Sequence, residues 1–211
     1  MVNSLQSAPA APAKEQILTR ERILDAVSEQ LARTGIAGLR LKDVADLLSV
    51  SVPSLYRFFA DREAMIAAAY VRDFAEQTFI DLDQLRVVFS EAASAEDYQN
   101  GLRTVVIDIF GEESRQIRWR KLSAMAATHH DPVLMEQIGR IQAEFTSRIA
   151  ETFESARQRG WVKSSVNAFA FAYAVQGLMM GPLFADVVPG SDVTSGDFAE
   201  LFVLFHQAMA A

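Results

Sequence analysis

The chain of 211 residues has no cysteine and only three histidines. The lack of cysteine excludes disulfide frameworks, thiolate nucleophiles and thiolate metal sites. His129 and His130 are adjacent, so they point to different faces of a helix, and no third ligand follows at helical spacing. Pro132 comes directly after Asp131, which favours a loop and helix cap at this point. We therefore expect neither a metal nor another cofactor.

Long apolar runs and catalytic motifs are also missing. No apolar run approaches the roughly 20 residues that a membrane-spanning helix needs, and the N-terminus lacks the basic-then-apolar order of a signal peptide. The sequence has no glycine-rich phosphate loop, no G-x-S-x-G and no H-E-x-x-H, and Asp81 and Asp83 have no polar cluster around them. We expect a cytoplasmic protein that has no membrane partner and is not an enzyme.

The charge is unevenly distributed along the chain. The net charge is −7 overall, yet residues 1–62 hold eight lysines and arginines against seven acidic residues, so the acidity lies downstream. Arg40, Lys42, Arg57 and Arg62 are near one short segment. A local basic surface is what binding to phosphates requires, whatever the total charge. The N-terminal part therefore fits a nucleic-acid partner.

Helical periodicity dominates the rest of the sequence, and no segment shows strand alternation with hairpin turns. Residues 1–13 are rich in Ser, Ala and Pro and are predicted to form a flexible arm. The prediction is an all-α protein, with a three-helix domain over residues 14–62 and a larger helical domain over residues 63–211. Helices are predicted at 15–34, 41–48, from Ser51 to about Phe59, from Arg62 onward, and at 96–111, 114–127, 131–159, 164–186 and 194–210.

Residues 41–60 fit a helix-turn-helix. Ala45 is the small residue where the two helices cross, and Ser49 occupies the turn position at which glycine is commonest. The apolar positions that hold the unit to its support are filled by Val44, Leu48, Val50 and Leu55. The second helix begins at Ser51, a good N-cap, with Pro53 in its first turn. In such units the outward face of this helix enters the major groove of DNA.

The stretch from Thr19 to Met65 resembles the DNA-binding domain of the TetR family of transcriptional regulators. Three blocks carry the resemblance: T-R-E-R-I-L-D-A from Thr19, L-K-D-V-A from Leu41, and S-V-P-S-L-Y-R-F-F-A-D-R-E-A-M from Ser51. The resemblance implies a homodimeric repressor that a small effector releases from a palindromic operator of double-stranded DNA. A constitutive DNA-binding regulator without a ligand and a helical protein-binding adaptor are the alternatives.

Roles within this domain follow from physical type. The candidates for phosphate anchoring are Arg40, Lys42, Tyr56 and Arg62. The candidates for base reading are Val52, Pro53, Ser54 and Arg57, with Ser51 beside them at the N-cap. The sequence departs from the family at Arg40, where threonine is usual, at Val52, where lysine is frequent, and at Phe58, where histidine is common. Arg40 offers a longer charged donor, and Val52 with Pro53 is suited to contact thymine methyl groups.

The resemblance also implies that the C-terminal helices dimerise. The helix at 164–186 has small residues that permit close helix approach, and the last helix has several phenylalanines. The candidate interface residues are Ala170, Ala174, Gly177, Gly181, Phe198, Leu201, Phe202 and Phe205. The alternative is that they form the core of a single subunit.

Large apolar side chains, including Phe79, Phe89, Tyr98 and Phe153, are plentiful between the terminal regions. The resemblance implies that some of these side chains line a pocket for a small, largely apolar effector; ordinary core packing is the alternative. The pocket candidates are Phe110, Trp119, Met125, Phe145, Phe171, Tyr173 and, as a polar anchor, Gln176. The densest basic run, from Arg115 to Lys121, is interpreted as a charged helix face. A second nucleic-acid surface, interdomain ion pairs and an acidic effector are the alternatives for this run.

Overall fold

A computed structural model describes residues 18–162 and 165–208, without the side chains of residues 79–82. The predicted arm at residues 1–13 and the predicted pocket side chain Phe79 lie outside the described residues. Every regular element in the described part is a helix, so the predicted all-α class is confirmed. The contacts divide the chain into two units with the boundary after Ile66, whereas the sequence placed it after residue 62.

The first unit contains three helices and the start of a fourth. These are α1 (Arg20–Gly38), α2 (Leu41–Leu47), α3 (Val52–Leu55) and the beginning of α4 (Arg62–Glu91). Thr19 caps α1 by accepting a hydrogen bond from the backbone N–H of Arg22 at 3.2 Å. Gly35 interrupts α1 with a φ of +66°, at the position where the sequence predicts the helix to end.

The apolar face of α1 forms the centre of this unit. Ile23, Leu24 and Val27 are fully buried, as their spacing predicts. The chain enters α4 through Asp61, whose carboxylate accepts a hydrogen bond from the backbone N–H of Ala64 at 2.6 Å. This cap satisfies one of the donors that a helix start leaves open.

The second unit continues α4 and adds six helices. They are α5 (Ala95–Phe110), α6 (Arg115–Ala127), α7 (Pro132–Gln158), α8 (Ala168–Met179), α9 (Pro182–Asp186) and α10 (Ser195–Gln207). Helix α7 packs against α8, and α5 packs against α10. Phe110 and Phe153 are among its most deeply buried side chains, and the rings of Phe153 and Phe171 stack with centroids 4.1 Å apart.

The helix predicted over residues 164–186 is in fact two helices. It begins only at Ala168, where Asn167 provides the cap, and the chain turns at Met180 and Gly181 before α9. A Cβ atom at Gly181 would lie 2.8 Å from the Phe198 ring and 2.9 Å from the Leu178 carbonyl oxygen. The turn therefore depends on glycine, which lets α10 approach the chain closely.

The segment Ala168–Asp186 is long and apolar enough, by length and composition alone, to cross a membrane, and it is the one such segment in the described part of the chain. The expectation that no apolar run approaches this length was therefore wrong. The segment is apolar on two sides: Phe171 and Val175 are buried, whereas Phe169 and Phe184 are exposed. Core helices of soluble proteins pass the same test.

Candidate nucleic-acid interface and ligand cavity

Buried apolar side chains anchor the helix-turn-helix in the first unit. Val44 and Ala45 of α2 are buried, as is Leu55 of α3, whose side chain is 0% exposed. The turn between the helices is tight, because the backbone N–H of Val50 donates to the Ala45 carbonyl at 3.0 Å. Ser49 adopts a φ of +56°, the only positive φ of a non-glycine residue in the described chain. The unusual serine in this turn thus occupies the left-handed conformation that glycine would adopt without strain.

The segment after the turn presents its other side to solvent. Pro53 and Arg57 are exposed, and Tyr56 is 46% exposed. Val52 and Ser54 are partly exposed, and the hydroxyl oxygens of Ser51 and Ser54 lie 2.9 Å apart. The structure therefore leaves the predicted base-reading side chains open to solvent on one short segment.

Helix α3 is shorter than the sequence predicts. It ends at Leu55 rather than near Phe59, and Tyr56 is its C-cap. The backbone N–H of Phe58 donates to the Leu55 carbonyl, three residues back, so the chain tightens into a turn. Phe59 then turns into the core, where the Arg20 guanidinium lies 5.1 Å from its ring centre.

Two of the predicted phosphate anchors are exposed on α2. Arg40 is the N-cap residue of α2, but its side chain makes no capping hydrogen bond, and Lys42 lies in the first turn. Long cationic side chains in such positions suit contacts with phosphate oxygens.

Arg62, a third predicted anchor, is engaged inside the first unit. Its Nη2 donates to the carbonyl oxygens of Ile36 at 2.6 Å and Leu39 at 3.2 Å, and its Nη1 donates to Glu63 at 3.3 Å. The guanidinium thus satisfies carbonyl groups at the end of α1, which a helix terminus leaves open. No sequence pattern indicated this structural role, and phosphate anchoring by Arg62 stays a prediction.

The second unit contains an apolar cavity of about 280 Å³ between α4, α6, α7 and α8. Four of the seven predicted pocket residues line it, namely Met125, Phe145, Tyr173 and Gln176. The sequence prediction missed Phe74, Thr78, Lys121, Gln142, Gly177, Met179 and Met180. Met125 and Tyr173 are exposed, so the cavity opens to the surface at these side chains.

The polar groups of the cavity wall are linked to one another. The side-chain amide nitrogen of Gln142 donates to the side-chain oxygen of Gln176. The side-chain amide nitrogen of Gln176 donates to the Thr146 hydroxyl at 3.2 Å and to the Ala172 carbonyl at 3.0 Å. Both amides therefore have protein partners, as buried polar groups require. The predicted anchor Gln176 is part of a network rather than a single donor.

The three other predicted pocket residues have different surroundings. Phe110 and Phe171 belong to the hydrophobic core, because their rings are covered by the aromatic side chains of α7 and α10. Trp119 donates its indole N–H to the Asp186 carboxylate at 3.0 Å, which ties α6 to α9. These three side chains do not line this cavity, because helical periodicity identifies an inward face but not what lies opposite it.

The residues predicted at a dimer interface fall into two groups, one exposed and one packed within the subunit. Ala170, Ala174 and Gly177 of α8 and Leu201 of α10 are exposed and available to another chain. The other four belong to the subunit itself: Phe202 is buried in the core, Phe198 and Phe205 pack against it, and Gly181 faces Phe198. These four residues therefore pack within the subunit, and their part in a dimer interface stays a prediction. Exposed apolar neighbours that the prediction missed are Phe169, Tyr173, Phe184 and Leu204.

The basic run of α6 is largely structural. Arg115 pairs with Asp186 at 3.1 Å, and the buried Arg118 donates to the carbonyl oxygens of Ile109 and Gly111 at the end of α5. At the end of α6, Asp131 caps α7, as the sequence predicts. Among the described residues, no three His, Asp or Glu side chains come together as metal ligands would.

These features define a helix-turn-helix DNA-binding regulator with a second, helical unit. Residues 23–69 match the model of a family described as bacterial regulatory proteins, tetR family. The match covers the helix-turn-helix and the start of α4, and it supports a TetR-type transcriptional regulator. None of the proteins of curated function matches the chain significantly in sequence.

Solved structures extend the likeness in fold over most of the chain. A TetR transcription regulator from Haloarcula marismortui is 14% identical, with a TM-score of 0.72 over 91% of this chain and 98% of that one. A TetR-family transcriptional regulator from Cytophaga hutchinsonii is 14% identical, with a TM-score of 0.70 over 93% and 99%. A protein from Saccharomonospora viridis, assigned as a transcriptional regulator and solved in complex with choline, is 16% identical, with a TM-score of 0.73 over 91% and 97%. At these identities the likeness establishes the fold.

Proposed function

We propose that the protein is a cytoplasmic, homodimeric repressor that leaves a palindromic operator when a small molecule binds the cavity of its second unit. The observation that carries the proposal is the segment after Ser51, where Leu55 is buried and Pro53, Tyr56 and Arg57 are open to solvent. This arrangement supports insertion of the exposed face into a major groove.

The exposed apolar surface of α8 and α10 supports a homodimer. Phe169, Ala170, Tyr173 and Ala174 recur on one face of α8, and Leu201 and Leu204 lie on the outer face of α10. Small residues between large ones permit close helix packing. A dimer would present two reading segments, as recognition of two half-sites requires.

The dimer is tested by placing a charge on this face. Ala174→Arg buries a cation in the proposed interface, so we expect sedimentation to show monomers while the helical circular dichroism is retained. Val133→Lys is the matched control, because Val133 is 65% exposed at the start of α7 and lies outside this face. Dimers of unchanged affinity in Ala174→Arg would refute the proposed interface.

Release by a small molecule is supported by the cavity and by the course of α4. Phe74 and Thr78 on α4 line the cavity, and the same helix begins at Arg62 in the first unit. The choline bound to the protein from Saccharomonospora viridis supports a small-molecule ligand in this fold. A ligand releases the operator only if it binds the DNA-free state more tightly than the DNA-bound state.

The reading function is tested by selecting bound sequences from random duplex DNA. We expect an enriched palindrome whose half-sites are about one or more helical turns apart. Arg57→Ala should weaken binding to that sequence by about 1–3 kcal/mol for each half-site and relax selection at one position in each half-site. Enrichment of no sequence, or of one without two-fold symmetry, would contradict the proposal. An operator affinity that no ligand changes would favour a constitutive regulator.

A further inference from the structure

The apolar cavity of the second unit is open on one side within a single subunit. Among its lining residues, Met125 on α6 and Tyr173 and Gly177 on α8 are exposed, and Tyr173 is 61% exposed. Phe74 and Phe145 form a buried part of the wall. Sites for small molecules usually enclose about 70–90% or more of the ligand surface. A ligand in this cavity would therefore stay in contact with water at the side formed by α6 and α8.

The part of this opening that α8 supplies also lies on the outer face of that helix. Ala170, Tyr173, Ala174 and Gly177 are exposed, and their spacing of three, four and seven residues places them on one side of a helix. Tyr173 and Gly177 thus belong both to the cavity lining and to the face that we propose to form the dimer. Whatever covers this face also covers the opening along α8.

The chemistry of this face favours a second copy of the chain as its cover. Helix α8 has no charged residue, so two copies related by a two-fold axis meet along it without like charges. The large side chains of Phe169 and Tyr173 stand among the small residues Ala170, Ala174 and Gly177, so the protruding positions of one copy fit the recessed positions of another. Exposed apolar side chains continue onto α9 and α10, and apolar patches of this kind on a protein surface mark interaction sites.

We propose that the partner subunit closes this cavity, so that two copies of the chain form each effector site together. The proposal rests on the homodimer of the proposed function and adds that its interface is part of the ligand site. Because an enclosed ligand contacts both subunits, it should bind the dimer more tightly than the monomer and should in turn stabilise the dimer.

The absence of cysteine allows the opening to be probed without a ligand, because a single introduced thiol is then the only one in the chain. Met125→Cys places a thiol at the opening, and Gln142→Cys places one on the wall that α7 contributes. The rate of alkylation by N-ethylmaleimide, an uncharged thiol reagent, is measured on each full-length variant with and without Ala174→Arg. Ala174 does not line the cavity, and sedimentation at the same protein concentration establishes whether each sample is a dimer or a monomer. Alkylation should be about tenfold or more slower in the dimer, because both thiols become accessible only when the interface opens.

Two control cysteines separate closure of the cavity from other effects. Val133→Cys, at a position that is 65% exposed outside this face, should react at one fast rate in both states. Val106→Cys, at a core position that is 2% exposed and does not line the cavity, should react slowly in both and measures any general loosening of the monomer. Leu201→Arg, on the exposed face of α10 and outside the cavity lining, repeats the comparison if Ala174→Arg does not fold.

The decisive quantity is the alkylation rate at Met125→Cys and Gln142→Cys relative to that at Val106→Cys. The proposal is overturned if this ratio differs by less than about twofold between dimer and monomer. It is also overturned if the protein remains a dimer in both Ala174→Arg and Leu201→Arg, because the interface then lies elsewhere. A wild type that sediments as a monomer overturns it together with the proposed homodimer.

Operator selection is measured separately on the wild type. A dimer that selects a palindrome but gives equal ratios is a DNA-binding regulator whose cavity is not closed by its partner, so only this inference fails. A dimer that protects both cavity thiols but selects no DNA sequence supports the shared site and contradicts the proposed function instead.

Discussion

Arg62 offers the sharpest test of the first unit, because its sequence-based and structural roles predict different outcomes. In the structure its guanidinium donates to the carbonyl oxygens of Ile36 and Leu39. Buried hydrogen bonds to a charged group contribute about 1.5–3 kcal/mol each. Because the Arg62 side chain is 31% exposed and water competes for the same groups, we expect Arg62→Met to lower the free energy of unfolding by about 1–3 kcal/mol in total.

The phosphate role makes a different prediction. A side chain that neutralises one phosphate contributes about 0.9 to the slope of log affinity against log salt concentration. Arg62→Met should therefore leave this slope unchanged, whereas Arg40→Met should reduce its magnitude by about 1.8, because the proposed dimer loses one phosphate contact from each subunit. Arg40 is exposed and makes no capping contact, so its loss should change stability by less than about 0.5 kcal/mol.

The assay combines urea unfolding with operator binding over a range of potassium chloride concentrations, for the wild type and both variants. If Arg62→Met is as stable as the wild type but its salt slope shows the loss of one phosphate contact from each subunit, the structural reasoning is wrong. The residue would then be the phosphate anchor that the sequence suggested.

Three further outcomes follow from the structure. Ser49→Gly should raise the free energy of unfolding by about 1 kcal/mol, because Ser49 holds a φ of +56° that glycine adopts freely; urea unfolding measures this, with Ser51→Gly as the control. Leu55→Ala should lower the free energy of unfolding by about 2–5 kcal/mol and weaken operator binding, because the Leu55 side chain is fully buried and anchors the segment that follows Ser51. Unchanged stability would mean that Leu55 does not anchor this segment. Burial lowers the pKa of His206 to about 4, below its ordinary value of 6.5. Between pH 4 and 6.5 the unfolded chain therefore binds one more proton at this residue than the folded chain. The free energy of unfolding should fall by about 1.4 kcal/mol for each pH unit as the pH falls through this range. His206→Gln should flatten this acid dependence in urea titrations, and an unchanged slope would assign it to other groups.

The sequence predicted most helix boundaries within two residues, because caps and breaks are local. Thr19, Asp61 and Asp131 each accept the hydrogen bonds that their position before a helix implies. Asn167 was missed, and the helix after it was predicted to start too early. The end of α3 was also missed, since the turn at Tyr56 depends on Phe59 returning to the core.

The cavity was harder to predict, because a lining residue and a core residue have the same chemistry and differ only in what lies opposite. Phe145 and Phe171 are both buried aromatics, yet Phe145 lines the cavity and Phe171 stacks on Phe153. The basic run of α6 was hard to interpret for the same reason, because the sequence does not show what each side chain contacts. Arg115 pairs with Asp186, Arg118 donates to α5, and Lys121 lines the cavity, although they stand within seven consecutive residues. Helical spacing separates these cations by face, but only the tertiary structure shows what each face meets.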